Sequence, residues 1–243
     1  MRSKIVISII LVTILSIKLF GQYSTLQLNF GHYIGDQKLV LDSVMFKNEL
    51  GQNFTVSKFK YYVSNFHFKS SSGKDIFINE TFLINEDEEE SKKIILNKLP
   101  AGNYTSFDFI LGVDSLHNCS GAQSGALDPV NAMFWAWNTG YIFLKLEGFA
   151  PNSLSPGKFF EYHIGGYKQP SNCIRKISIA LGKEVKTDAA ITKEIKLKVN
   201  ILEILKTPTT IDFSKLSSVT DHKNATLVAD NYSDMFKLMP NEK

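Results

Sequence analysis

Phe59-Lys60-Tyr61-Tyr62-Val63-Ser64-Asn65-Phe66-His67-Phe68 carries the pattern from which the fold is read. Large apolar residues fall at 59, 61 and 63, then at 66 and 68, so a period of two slips its phase once, at Ser64 to Asn65. In a strand successive side chains alternate between faces, and one extra residue at a bulge moves the apolar set onto the other parity. The stretch predicts a strand with a bulge near Ser64 to Asn65.

Outward from it the same period recurs. Leu26, Leu28 and Phe30 alternate, then Leu39 and Leu41, then Ile76 to Ile84, and Ile94-Ile95-Leu96 resumes extended chain after Glu86 to Glu90, an acidic run read as a solvated loop. Pro100-Ala101-Gly102-Asn103 has turn chemistry, and Tyr104 to Val113 follows as a strand. Asp114 to Asn131 has no period, small polar residues and Gly121, Gly125 and Pro129. It reads as one long loop, a length that in compact domains often carries function. Further strands are expected over Phe134 to Leu146, Phe159 to Ile164, Ile174 to Leu181 and Ile191 to Leu205. Ala225, Val228, Ala229, Tyr232, Met235, Phe236 and Met239 share one helical face that ends before Pro240. The expected fold is all-β, a Greek-key β-sandwich or open barrel of roughly ten strands with a short C-terminal helix.

The start Met-Arg-Ser-Lys is followed by an apolar run from Ile5 to Ile17 that Lys18 cuts short. This is the pattern of a secretory signal rather than a span of about 20 apolar residues. Cleavage is expected near Gly21 or Gln22, giving a signal peptide over 1–21 and one domain over 22–243, soluble and without a membrane segment. No cysteine lies at the junction to carry a lipid. Among 243 residues, 27 basic and 24 acidic side chains are spread along the chain, so no footprint for nucleic acid is visible. Cys119 and Cys173 are the two cysteines. In an exported chain they are expected to form a disulfide, worth about 4 kcal/mol in the loop-entropy picture, with two buried free thiols as the alternative.

Trp135 and Trp137 stand two apart and would share one face of a strand, either as core or as an oxidisable aromatic surface. The histidines are His32, His67, His117, His163 and His222. They form no His-x-x-x-His pair, and the cysteines no Cys-x-x-Cys pair. A Gly-x-Ser-x-Gly elbow, a phosphate-cradling loop and a His-Glu-x-x-His helix are all absent, and Asp114, Glu147 and Glu161 are carboxylates whose meeting spacing alone does not settle. No catalytic residue is named, and an enzyme is not expected.

Several blocks together carry a family resemblance. They are Leu111-Gly112-Val113-Asp114-Ser115, Gly125-Ala126-Leu127-Asp128-Pro129, Met133-Phe134-Trp135-Ala136-Trp137-Asn138-Thr139-Gly140-Tyr141, Lys145-Leu146-Glu147-Gly148 and His163-Ile164-Gly165-Gly166. With Phe30-Gly31-His32, Tyr61 to Phe66 and Pro100 to Tyr104, the chain resembles the MbnP-like family of exported copper-binding β proteins. The resemblance implies a periplasmic or secreted protein in which Trp135 or Trp137 is oxidised to kynurenine by a partner di-haem enzyme similar to cytochrome c peroxidases. The aniline nitrogen of kynurenine would join histidines in holding Cu(I), a soft ion. His163 and His32 are the first ligands implied, His67 and His117 the next. Cys119 is a further soft donor if it is not bridged to Cys173. The competing expectation is a structural or ligand-binding sandwich with the tryptophan strand as core and no metal.

Overall fold

The computed structural model describes residues 23–135, 140–221 and 223–240. The expected signal peptide, Trp137 and His222 lie outside the described residues.

Two mixed sheets face each other. The smaller runs β14 (Phe236–Leu238), β12 (Lys193–Asn200), β1 (Tyr23–Ile34) and β2 (Gln37–Lys38), with β6 (Lys93–Pro100) also on β1. The larger runs β11 (Arg175–Thr187), β7 (Gly102–Leu111), β4 (Asn53–Ser70), β9 (Gly140–Phe149), β10 (Phe159–Gly165) and β13 (Ser218–Val219). Onto it are added β3 (Phe46–Lys47) and β5 (Asp75–Asn85) against β4, and β8 (Phe134–Trp135) against β9. The β1–β12 and β10–β13 pairs are parallel. Two α-helices, α1 (Ser115–Cys119) and α2 (Ala225–Tyr232), and five short 3₁₀ turns complete the described elements.

The centre of the larger sheet is β4, and its bulge falls where the sequence places it. The ladders to β5 and β7 both slip after Ser64, and Asn65 is left-handed with φ of 53°. Before the slip Phe59, Tyr61 and Val63 point into the core, and after it Phe66 and Phe68 do, all fully buried. The sheets meet through edge-to-face rings. Phe30 of β1 lies 6.4 Å from Tyr61 and 6.3 Å from Phe109, and Phe236 of β14 lies 5.1 Å from Phe109. Such pairs add to the burial that holds the layers together.

Four expectations about elements are corrected. The strand expected over Phe134 to Leu146 is two strands, β8 and β9, antiparallel to each other with Trp135 opposite Gly140. The strand expected to reach Leu205 stops at Asn200, and a 3₁₀ turn over Ile201–Leu205 follows. The C-terminal helix stops at Tyr232, and Phe236 to Leu238 pair with β12 instead, because Val199 and Leu197 offer a free ladder there. Within the acidic run, Glu86 is not a solvated residue. Its side chain turns inward to His32 and Lys92.

A candidate site at the root of the tryptophan hairpin

Asp114 to Asn131, expected as loop, forms with Ala132 a strap across the outer face of the larger sheet. Tyr62 donates its hydroxyl to the Ala126 carbonyl at 2.9 Å, and Lys145 donates to the Ala132 carbonyl at 2.5 Å. Tyr141 donates to the Leu127 carbonyl at 2.9 Å. Beyond the strap β8 brings Trp135 back onto the sheet, 1% exposed. Its indole lies where Gly165 has no side chain, and a Cβ there would come within 2.7 Å of the ring and 2.5 Å of the Tyr141 carbonyl oxygen. Trp135 is therefore a packing residue, seated by a glycine.

At the root of the β8–β9 hairpin, α1 begins at Asp114. One carboxylate oxygen of Asp114 accepts the His117 amide at 3.0 Å, and the other meets His117 Nδ1 at 2.7 Å and Asn65 Nδ2, from the β4 bulge, at 3.2 Å. Burial works to raise the Asp114 carboxyl, but the hydrogen bonds from the His117 amide and ring and from Asn65 outweigh it and hold it below its ordinary value. The buried Asn118 side chain fastens α1 to the hairpin. Its amide nitrogen donates to the Val113 carbonyl at 2.5 Å, and its oxygen accepts the Tyr141 N–H at 3.0 Å. His117 and Cys119 flank this clamp. With Nδ1 of His117 on a carboxylate, Nε2 is the nitrogen left to bind, the arrangement usual for metal-ligating histidine. Cys119 is exposed and donates to the Tyr167 hydroxyl at 3.4 Å.

The four candidate histidines do not converge. His163 of β10 bonds Glu147 of β9 through Nε2 at 2.8 Å, and Lys58 holds the other Glu147 oxygen at 3.1 Å. The hydrogen bond from His163 leads in pulling the Glu147 carboxyl down to about 2, with Lys58 helping against burial. His163 pairs with Lys145, four residues along β9 from Tyr141, roughly 13 Å at strand rise. His32, buried, has Nδ1 on Glu86 at 2.5 Å and Nε2 on the Tyr61 hydroxyl at 2.9 Å, so both ring nitrogens are taken. His67 lies between Asp75 at 3.1 Å and Asp108 at 3.3 Å, stacked on Phe77. Among the described residues, no three His, Cys, Asp or Glu side chains are grouped to hold a metal ion. His163 and His32, the first ligands expected, and His67 and His117, the next, are thus not brought together into one group among the described residues.

The expected disulfide is corrected as well. Cys119 and Cys173 are separate thiols. Cys119 sits at the exposed end of α1, whereas Cys173 is fully buried, faces the Ser171 carbonyl at 3.5 Å, and is pushed by burial up to about 12.

Asn118, Tyr141 and Gly165 assemble this site, and sequence reasoning gave none of them a role. Gly165 had a signal, a glycine inside a strand pattern, which marks a close approach. Asn118 had none, because one asparagine in a polar loop looks like any other.

A two-sheet β protein in which a tryptophan hairpin closes one outer face and is rooted on a histidine-bearing helical turn is the class these features define. The chain belongs to the MbnP family, whose model, described as MbnP, matches residues 23–224. Among solved structures it is similar to MbnP from Methylosinus trichosporium, with a TM-score of 0.52 and 14% identity over 79% of this chain and 80% of that one. That likeness concerns the fold. No curated protein matches the sequence.

Proposed function

We propose that this chain is an exported copper-handling protein, released to the periplasm or the exterior after removal of residues 1–21, with its site at the root of the tryptophan hairpin. The observation that carries the reading is the Asp114–His117 pair. It leaves Nε2 of His117 available on α1, the turn that Asn118 fastens to Tyr141 at the start of β9. Cys119, a thiol rather than half of a disulfide, adds a soft donor on the other side of Asn118. This donor chemistry suits Cu(I). It is incomplete among the described residues, which is where a modified tryptophan would contribute. Because Trp135 is used in packing on Gly165, Trp137 is the better candidate for oxidation to kynurenine by a partner di-haem enzyme. His163, held by a carboxylate through Nε2 where His117 is held through Nδ1, is the second histidine with one ring nitrogen left to bind. Copper, when bound, supplies a soft cation to be held or passed on. The chain's own residues orient ligands, and we assign them no reaction.

The absence of a three-donor group among the described residues favours a second reading, a ligand-binding or structural sandwich without metal. The two separate in one experiment. The mature chain is produced with and without a di-haem partner enzyme, and intact mass, peptide masses and bound copper are measured under reducing conditions. The copper reading predicts a gain of one oxygen and loss of one carbon on the peptide carrying Trp135 and Trp137, together with copper uptake. Unmodified chain that takes up no copper selects the second reading.

A further inference from the structure

At the far end of the sandwich from the hairpin, β11 leaves its partner. Its ladder to β7 runs to Ala180 opposite Ser106 and resumes at Val185 opposite Tyr104, so Leu181 to Glu184 loop out where β7 supplies Thr105 alone. Gly182, at φ of 70°, makes the turn. This bulge, β12 and the chain after β14 enclose an open groove of about 510 Å³, within the range typical of small-molecule sites. Its floor is Leu181, Val185, Ile195, Leu238 and Met239. Leu181, Val185 and Ile195 are backed by Phe68, Leu99 and Tyr104 of the inter-sheet core, so the floor is apolar throughout. Its rim carries Lys183, Lys193 and Glu194. Glu194 is engaged by the Asn29 side chain, while neither lysine has a carboxylate partner among the described residues. An apolar floor with two unpaired ammonium groups at its mouth is complementary to one kind of molecule, a hydrocarbon chain that ends in an anion.

We infer that this groove binds a free straight-chain carboxylate, with the chain on the Leu181–Val185–Ile195 floor and the head group between Lys183 and Lys193. The site is independent of the hairpin and of copper. Dodecanoate is the probe, titrated calorimetrically into the mature protein beside octanoate, decanoate and neutral dodecanol, with phosphatidylglycerol vesicles as a separate arm. Saturable one-to-one binding is expected, about fourfold tighter for each added methylene. Lys183→Gln with Lys193→Gln, surface changes that leave the core intact, should weaken dodecanoate about tenfold and leave dodecanol unchanged. The inference is overturned by no saturable binding, by affinity that ignores chain length, or by lysine variants that bind as well as the parent. Binding to vesicles without binding of free dodecanoate overturns it in favour of a membrane surface, and a dimer that buries the groove and excludes dodecanoate overturns it in favour of a second copy.

Discussion

Gly165 shows how one atom can set a site. The larger side chain of the contact, Trp135, occupies the space a Cβ would need, and the Tyr141 carbonyl oxygen closes the other side. Gly165→Ala must push the indole or part the β9–β10 ladder, and overpacking of this kind costs about 1–3 kcal/mol. Urea unfolding followed by tryptophan emission checks it, and a variant as stable as the parent would remove the indole from this seat. His32 makes the second residue-scale prediction. Burial holds its imidazole below the ordinary value of 6.5, although the hydrogen bond to Glu86 opposes this. Unfolding frees the ring to take a proton, so the unfolded chain binds more protons and stability falls as pH drops below 6.5. Burial tends to raise Glu86, but His32 and Lys92 outweigh it and hold the carboxyl below 4.5. Its contribution is present above 4.5 and is lost as pH falls through the lowered value, which extends the same acid limb. His32→Gln should flatten the upper part of that limb in urea midpoints measured across pH. An unchanged slope would place the titration elsewhere. Neither contact was legible in the sequence, because Glu86 is drawn inward by partners 54 and 6 residues away.

At the scale of elements, the phase slip in Phe59 to Phe68 was readable because Phe59, Tyr61 and Val63 hold one parity and Phe66 and Phe68 the other, and the ladders to β5 and β7 slip at the same place. The bulge also serves the candidate site, since Asn65 reaches Asp114 from it. Asn65→Val would force a β-branched residue to φ of 53° and break that hydrogen bond. The expected loss is about 1–3 kcal/mol, whereas Asn65→Gly keeps the backbone and loses only the side-chain contact. Chemical unfolding of the two variants distinguishes backbone from side chain, and equal stabilities would deny the bulge its left-handed residue. Other boundaries escaped the sequence for identifiable reasons. Trp135-Ala136-Trp137 continues the apolar alternation of a strand, so a hairpin between β8 and β9 leaves no break in the pattern. Phe236 to Leu238 carries on the spacing of α2, and only the edge offered by β12 makes it a strand.

Over the whole molecule, composition and period were enough for an all-β chain, with sandwich and open barrel both open, and the shared blocks were enough for the family. How the histidines are distributed was not legible, because no spacing in the sequence tells which ring nitrogen a carboxylate 41 or 54 residues away will occupy. Glu86 and Tyr61 close His32, Asp108 bonds His67 with Asp75 close by, and Asp114 and Glu147 each leave one nitrogen of a histidine free. The central claim, that copper is held at the hairpin root, is therefore a claim about His117. The measurement that tests it is a Cu(I) titration under reducing conditions of the mature chain co-produced with a di-haem partner, comparing the parent with His117→Ala and His32→Gln. The account predicts one copper bound by the parent and by His32→Gln, with affinity at least about tenfold weaker in His117→Ala. Copper binding by His117→Ala equal to that of the parent would contradict it.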